Sequence, residues 1–167
     1  MKEIYRKICL LGDPGVGKTS LVRRYVLDIF DDHYIPSIGM KVTKKNIELE
    51  DGSITLTLMI WDILGGKTNR FDSIYYKGVK GALIVFDVTR MKTMDNLSKW
   101  ISGLYEITGE VPIIFLGNKI DLKYKNKAVE KQISEYAGKY DAENIYTSAK
   151  TGDKVNKAFL SLARKVV

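Results

Sequence analysis

Eight consecutive residues near the N-terminus have the types and spacing that bind a phosphate chain. They read Gly12-Asp13-Pro14-Gly15-Val16-Gly17-Lys18-Thr19 and match the pattern G-x-x-x-x-G-K-[ST]. Glycines let the backbone turn tightly enough for successive N–H groups to point at phosphate oxygens, and the dipole of a following helix adds positive potential. Lys18 supplies a cation for the β- and γ-phosphates, and the Thr19 hydroxyl suits Mg²⁺. We predict a phosphate-binding loop here, with the adjoining Ser20, rather than an ordinary glycine-rich helix cap.

A second polar segment, Asn118-Lys119-Ile120-Asp121, follows a short apolar run. The Asp121 carboxylate can accept hydrogen bonds from N1–H and the exocyclic amine of guanine. Adenine lacks this donor pair and would leave the carboxylate unpaired. The Lys119 stem can lie along the base, and Asn118 can tie this loop to the phosphate loop. Downstream of a phosphate loop, the segment predicts guanine binding.

A third segment, Thr147-Ser148-Ala149-Lys150, follows the last predicted strand. The carboxyl ends of parallel strands meet at one edge of a sheet, so this segment should lie beside the second one. The Ala149 N–H can then donate to guanine O6. Ser148, Ala149 and Lys150 therefore join the predicted base-binding residues.

Hydrophobic periodicity predicts the elements that bring these segments together. Continuous apolar runs at 8–11, 82–86 and 113–116 are typical of buried parallel strands. Residues 41–50 and 54–62 alternate with period two around Asp51-Gly52, which predicts a β-hairpin whose first, lysine-rich strand is an edge strand.

Apolar residues at helical spacing predict three later helices, at 97–107, 129–140 and 155–166. We expect Asp95 and Asp153 to cap the first and the last of them. The order of elements predicts one α/β domain over residues 1–167, of the P-loop NTPase type. Its sheet should be six-stranded and mostly parallel, with one antiparallel edge strand and helices on both faces.

Composition excludes several classes of protein. Twenty-seven Lys and Arg against 20 Asp and Glu give a net charge of +7, but the cations are scattered without interleaved aromatic residues, so no nucleic-acid partner is expected. A single cysteine, Cys9, excludes a disulfide framework and cysteine-rich zinc sites, and we expect it to be a reduced core thiol. A single histidine, His33, excludes metal sites that need two imidazoles.

The chain has no signal-peptide core at residues 1–5 and no cysteine for prenylation at residues 163–167. No apolar run approaches the 18 or so residues of a membrane-spanning helix. We therefore expect a cytoplasmic protein without a lipidation site in this chain. Its positive surface offers a route to peripheral contact with anionic membranes.

These segments, in this order, resemble the Ras-like small GTPases, and the Rab branch most. The resemblance covers nearly all of the chain and includes Tyr34-Ile35-Pro36-Ser37-Ile38-Gly39 and Trp61-Asp62-Ile63-Leu64-Gly65-Gly66. It implies a monomeric guanine-nucleotide switch that binds GTP or GDP with Mg²⁺ and hydrolyses GTP slowly. It also implies effector, exchange-factor and GTPase-activating partners, and roles in signalling or vesicle trafficking.

The resemblance assigns roles to further residues. Phe30 matches the aromatic residue that packs across the guanine edge, although an ordinary hydrophobic anchor after the first helix would explain it too. Tyr34 matches the tyrosine that closes over the γ-phosphate. Asp62 matches the aspartate that holds Mg²⁺ through water, and the Gly65 N–H matches the reader of the γ-phosphate. Loops around Ser37 and Gly65 would be ordered by the γ-phosphate and released when it leaves.

Three positions depart from the family pattern. Ser37 replaces the threonine that is the second Mg²⁺ ligand, which keeps the hydroxyl but loses stiffness at χ1. Gly66 replaces the glutamine that orients the attacking water, so that catalytic contribution is lost from this position. Pro14 fixes φ and removes one N–H from the phosphate loop, which either suits a geometry already used there or costs one phosphate contact. The catalytic residues carried over are Lys18, Ser37, Gly65 and Gly66.

The sequence leaves other functions open. A scaffold that holds GTP with negligible hydrolysis is the main alternative, because of Gly66. A P-loop kinase would need an arginine-bearing lid and an acceptor pocket, for which this short chain has no insertion. For a switch, we expect a partner-reading surface formed by Ile38, Gly39, Met40, Trp61, Tyr75 and Tyr76. The alternative is that the three aromatic residues, Trp61, Tyr75 and Tyr76, pack together under the switch.

Overall fold

A six-stranded sheet with the strand order β2-β3-β1-β4-β5-β6 forms the centre of the molecule. The computed structural model describes residues 1–31, 40–63, 72–122 and 126–167. The strands are β1 Lys2–Leu11, β2 Lys41–Leu49, β3 Ile54–Asp62, β4 Val79–Asp87, β5 Ile113–Asn118 and β6 Glu143–Tyr146. The hairpin strand β2 runs antiparallel to β3, and the other neighbouring pairs are parallel. The predicted α/β fold class is confirmed.

Helices cover both faces of this sheet because the central strands β4 and β5 are apolar on both sides. The helices are α1 Lys18–Leu27, α2 Asp72–Tyr76, α3 Met91–Asp95, α4 Leu97–Thr108, α5 Lys127–Lys139 and α6 Val155–Val166, with a 3-10 turn at Ile120–Leu122. Buried residues of α1 and α6 pack on one face. Buried residues of α2 to α5 pack on the other face. Neither core needs a disulfide, and Cys9 is a buried free thiol, as expected.

The hairpin forms as the alternation of polar and apolar residues predicts. Every second residue of β3 is buried, and β2 at the sheet edge exposes Lys41, Lys44 and other polar residues. Glu50, Asp51 and Gly52 have positive φ values of 50°, 53° and 87° at the turn. Exposed charges on an edge strand prevent pairing with another sheet.

Helix starts were predicted less well than helix bodies. The residue before α4 is Asn96, because Asp95 ends the short helix α3, and the residue before α6 is Lys154 with a left-handed φ of 55°. Neither residue makes a side-chain capping bond. The predicted caps Asp95 and Asp153 are therefore wrong by one residue each. None of the described helices has the length and apolar character needed to cross a bilayer.

Candidate functional site

The predicted phosphate loop connects β1 to α1, and two of its positions have no room for a side chain. Gly12 has a φ of 150°, and a Cβ there would lie 2.2 Å from the Val85 carbonyl oxygen. Gly17 has a φ of 103°, and a Cβ there would lie 2.3 Å from Asn118 Nδ2. The loop therefore passes close to β4 and to the end of β5, which explains glycine at both positions.

The Lys18 ammonium bends back over the loop that precedes it. Its Nζ donates hydrogen bonds to the carbonyl oxygens of Gly12, at 2.8 Å, and Asp13, at 3.0 Å, and the residue is only 6% exposed. Burial lowers the pKa of Lys18 to about 8, while the carboxylates of Asp62 and Asp13 act in the opposite direction. A buried ammonium inside a turn of backbone is a fitting contact for an anionic ligand.

Thr19 and Asp62 bring two oxygen ligands together beside this lysine. The Thr19 hydroxyl donates to Asp62 Oδ2 at 2.5 Å, and Asp62 is 6% exposed. Burial raises the pKa of the Asp62 carboxyl, whereas the hydrogen bond from Thr19 and the charge of Lys18 lower it. A hydroxyl and a carboxylate are the hard oxygen donors that Mg²⁺ binds, so the residues present fit the ion.

Asn118 connects all three predicted nucleotide-binding segments. Its Nδ2 donates to the Val16 carbonyl oxygen in the phosphate loop at 2.9 Å. Its Oδ1 accepts from Thr147 Oγ1 at 3.1 Å and from the Ala149 N–H at 3.2 Å. Asn118 is 1% exposed and Thr147 is fully buried. The predicted tie between the second segment and the phosphate loop is present.

The other base-binding candidates lie next to this asparagine. Asp121 Oδ1 accepts a hydrogen bond from Ser148 Oγ at 2.8 Å, which orients the carboxylate. Lys119 has a positive φ of 72°, and its Nζ lies 2.9 Å from Asp87 Oδ2. The Ala149 amide, expected to donate to guanine O6, donates to Asn118 at 3.2 Å, the long end of the hydrogen-bond range.

Arg24 on α1 holds the third segment, and the sequence reasoning missed it. Its Nε donates to the Ala149 carbonyl oxygen at 2.8 Å and its Nη2 to the Lys150 carbonyl oxygen at 2.5 Å. An ion pair with Asp28 one turn later fixes the guanidinium at 3.0 Å. The same helix that follows the phosphate loop therefore also positions the predicted base loop.

The carboxylate of Asp13, inside the phosphate loop, faces α4. Oδ1 accepts from Trp100 Nε1 at 2.9 Å and Oδ2 accepts from Asn96 Nδ2 at 2.7 Å. These two hydrogen bonds anchor the loop to the start of α4. Asn96 and Trp100 stand at helical spacing, which could have marked them as one face acting together.

Several predicted site residues are placed without a contact that tests their role. Phe30 is half-buried and packs against the core on the α1 face, which agrees with both of its interpretations. Ser20 lies in the first turn of α1, and Lys150 is exposed. The remaining predicted residues lie outside the described residues: Tyr34, Ser37, Gly65 and Gly66.

The expected partner-reading surface is only partly formed as predicted. Tyr76 is 3% exposed and belongs to the core, so its predicted exposure is wrong, whereas Trp61 and Tyr75 are half-buried against that core. Met40 is partly buried, and Ile38 and Gly39 fall outside the described ranges.

A lysine covers part of the Trp61 ring. Lys7 Nζ lies 3.6 Å above the ring and donates to the Lys77 carbonyl oxygen at 2.9 Å.

An exposed valine extends this aromatic surface, and the sequence reasoning missed it. Val42 on β2 is 41% exposed and is the register partner of Trp61 on β3. Directly opposed residues of an antiparallel pair project from the same face of the sheet. The period-two pattern of the hairpin carried this information, because it places Val42 on the same face of β2 as the polar residues Lys44 and Glu48, where an apolar side chain is a departure from the pattern.

Comparison with known proteins agrees with this geometry. The family model described as Ras family matches residues 7–167. The Ras-related protein Rab-13 of Mesocricetus auratus is 36% identical over 165 residues, which cover 96% of this chain and 79% of the relative. Human Rab-8B is 36% identical over 163 residues, covering 96% and 78%, and Rab-10 of Diplobatis ommata is 36% identical over 169 residues, covering 99% and 82%. The chain therefore belongs to the Ras family of small GTPases and lies close to the Rab branch.

Proposed function

We propose that this chain is a guanine-nucleotide switch that binds GTP and GDP with Mg²⁺, hydrolyses GTP slowly and binds effectors in one nucleotide state. The observation that carries the proposal is the position of Asn118. One buried side chain bonds the phosphate loop at Val16 and the base loop at Thr147 and Ala149. A ligand that reached both loops would need a phosphate chain at one end and a base at the other, which describes a nucleotide.

Guanine is favoured over adenine by Asp121. Its carboxylate, oriented by Ser148, would accept from N1–H and the exocyclic amine of guanine. The Lys119 stem would cover one face of the base, and Phe30 its edge. The Ala149 amide would exchange its long bond to Asn118 for guanine O6.

The phosphate end would be bound by the amides of residues 12–19 and by Lys18. Thr19 and Ser37 would be the direct Mg²⁺ ligands, with Asp62 acting through water. Mg²⁺ supplies charge neutralisation at the phosphate oxygens. Lys18 would leave the Gly12 and Asp13 carbonyls for phosphate oxygens, and Gly65 would donate its N–H to the γ-phosphate.

The first experiment is to identify the nucleotide released by denaturing the purified protein. We expect guanine nucleotide, and adenine nucleotide would contradict the proposal. Asp121→Asn tests the base contact directly. The asparagine amide can donate a hydrogen bond to the carbonyl at C2 of xanthine, but it suits the amine at C2 of guanine less well. This variant should lose GDP affinity and gain affinity for xanthosine diphosphate. A variant that retained its GDP preference would exclude Asp121 from base recognition.

Hydrolysis should be slow because Gly66 has no side chain to orient water. The intrinsic rate of Ras is about 3–5 × 10⁻⁴ s⁻¹, and we expect a single-turnover rate below that figure. A GTPase-activating partner would supply the water-orienting group and an arginine. Gly66→Gln should raise the intrinsic rate of GTP hydrolysis, because it supplies a side chain that can orient water. A wild-type rate at or above the Ras figure would refute this reasoning.

A GTP-holding scaffold with negligible hydrolysis is the second candidate, and Gly66 is again its motive. The two functions differ in what the purified protein contains and how it responds to a partner. Bound GDP indicates turnover and therefore the switch. Bound GTP that persists after incubation with cell extract indicates the scaffold.

We propose that effectors read the half-buried apolar surface formed by Val42, Trp61 and Tyr75. In the sequence, Val42 follows the segment that contains Ser37, and Trp61 and Tyr75 stand on either side of the segment that contains Gly65. We further propose a monomeric protein that exchange factors recharge in the cytoplasm, with peripheral contact to anionic membranes through its net charge of +7. Val42→Asp should abolish GTP-dependent partner capture without altering nucleotide affinity, since Val42 lies outside the nucleotide loops.

A further inference from the structure

Asp87, the last residue of β4, is a buried carboxylate at which two charged side chains meet. It is 2% exposed. Oδ2 accepts from Lys119 Nζ at 2.9 Å and from Arg90 Nε at 3.1 Å. Oδ1 accepts from the Thr89 N–H at 2.9 Å and from its hydroxyl at 2.6 Å. Both oxygens are thus fully engaged, so the carboxylate has a fixed orientation.

Arg90 extends this cluster to the phosphate loop. Its Nη2 donates to the Pro14 carbonyl oxygen at 3.1 Å, while its Nε stays on Asp87. The guanidinium side chain is 47% exposed and reaches the loop from outside. One planar group thus bridges a buried carboxylate and a backbone carbonyl, a geometry that the single nitrogen of lysine cannot reproduce.

The strand order makes this bridge possible. β4 lies between β1, which leads into the phosphate loop, and β5, which leads into the segment at 118–121. A side chain at the end of β4 therefore lies between the two loops. Asp87 contacts the base-binding side through Lys119, and it contacts the phosphate-binding side through Arg90 and Pro14.

Charge and burial fit a positioning role for the cluster. Burial raises the pKa of the Asp87 carboxyl, but the hydrogen bonds from Thr89 and Lys119 outweigh it and hold that pKa below its usual value. The carboxylate is therefore ionised and can hold both cations. The charge of Arg90 also reaches Lys18, where it adds to the lowering of the lysine pKa that burial causes.

We propose that Asp87 and Arg90 are positioning residues that brace Lys119 and the phosphate loop against each other and so slow the release of bound nucleotide. This inference rests on the proposed nucleotide site. The contact from Arg90 to Pro14 matters in this chain because Pro14 has a fixed φ and no N–H. The Pro14 carbonyl is therefore the backbone hydrogen-bonding group through which neighbours can hold the loop at this residue.

The test compares nucleotide release with stability in the full chain. Arg90→Gln and Arg90→Lys remove the bridge at a half-exposed position where the fold should tolerate them. Arg164→Gln removes the same charge from α6 at the far end of the sheet, where Arg164 lines a cavity with Glu48 and Glu50, and serves as the control. Release of a fluorescent GDP analogue is measured by stopped flow, and the nucleotide-free protein is unfolded in urea.

We expect both Arg90 variants to release GDP about tenfold faster than wild type, which corresponds to about 1.4 kcal/mol. Arg164→Gln should release it at the wild-type rate. Asp87→Asn should have a larger effect because it frees Lys119 as well. Adding Arg90→Gln to Asp87→Asn should then bring little further change, since the guanidinium is no longer held against the loop by the Asp87 carboxylate. The urea midpoints of the nucleotide-free Arg90 variants should stay close to wild type.

Three results separate the possible failures. Wild-type protein that retains no GDP would overturn the proposed function itself. Wild-type retention with unchanged release from both Arg90 variants would overturn the brace and leave the proposed function standing. Faster release accompanied by an equal loss of stability in the nucleotide-free protein would reduce Arg90 to a structural residue and also overturn the proposal. If Asp87→Asn does not fold, the two Arg90 variants alone decide the question.

Discussion

Gly17→Ala should test whether the close approach between the phosphate loop and Asn118 holds the site together. The substitution has two separable costs. The φ of 103° at Gly17 lies in the left-handed region, which costs a residue with a Cβ about 1–2 kcal/mol. The new Cβ would also lie 2.3 Å from Asn118 Nδ2, far inside van der Waals contact.

The second cost follows from what Asn118 would have to give up. To reach ordinary contact its amide must move by more than an ångström, and this breaks the 2.9 Å bond to the Val16 carbonyl oxygen. A buried donor left without a partner costs about 1–3 kcal/mol. The total for Gly17→Ala is therefore about 2–5 kcal/mol, which is a large part of the 5–15 kcal/mol that a domain has.

Gly52→Ala is the matched control. Gly52 also has a left-handed φ, of 87°, but nothing lies within 4 Å of a Cβ placed there. This control should cost about 1–2 kcal/mol, the backbone cost alone. Urea unfolding of the nucleotide-free variants measures both values, and GDP release should be accelerated in Gly17→Ala only. If the two variants lost the same stability and both kept wild-type GDP release, Asn118 would not be the connection that we infer.

Three further predictions concern α1 and α6. Arg24→Ala should speed GDP release about tenfold by freeing the Ala149 carbonyl, worth about 1.5 kcal/mol for a charged hydrogen bond, and Arg24→Lys should restore only part of it. Burial raises the pKa of Tyr25 from 10.0 to about 12. The contribution of the neutral Tyr25 phenol to the free energy of unfolding is therefore fully present below pH 10 and is lost as the pH rises through about 12. Urea unfolding measured between pH 10 and pH 12 should show a smaller loss of stability with pH for Tyr25→Phe than for wild type. Gly81→Ala should cost about 1–3 kcal/mol, because its Cβ would lie 2.6 Å from Val166 Cγ1 of the tightly packed α6, whereas Gly138→Ala has open space and should be neutral or stabilising.

The fold was predictable because each strand type carries its own pattern. The continuous apolar runs at 82–86 and 113–116 became the central strands β4 and β5, buried on both faces. The alternating run at 54–62 became β3, which buries every second residue. Helix starts were harder, since α3 ends only one residue before α4 begins, and no side-chain cap marks the boundary.

The residues proposed to face a ligand could be named from the sequence for a related reason. Phosphate, magnesium and guanine each accept few residue types, so Lys18, Thr19 and Asp121 could be named from their chemistry and spacing. The aromatic surface was harder to predict, because tyrosine suits both a core and an interface. Tyr76 proved to be core, and the exposed Val42 took no part in the prediction.

Asn118 was predicted to tie two loops together, but the two arginines that hold the loops were not predictable, because a backbone carbonyl accepts from any donor that reaches it. Arg24 reaches the Ala149 carbonyl from a helix more than a hundred residues earlier, and Arg90 reaches the Pro14 carbonyl from the end of the neighbouring strand β4. Nothing in the local sequence selects arginine at either position. For Arg90, the contact depends on strand order, which places the end of β4 between the two loops. A substitution at Arg24 or Arg90 should therefore change how long nucleotide stays bound without changing which base is preferred, whereas a substitution at Asp121 should change which base is preferred.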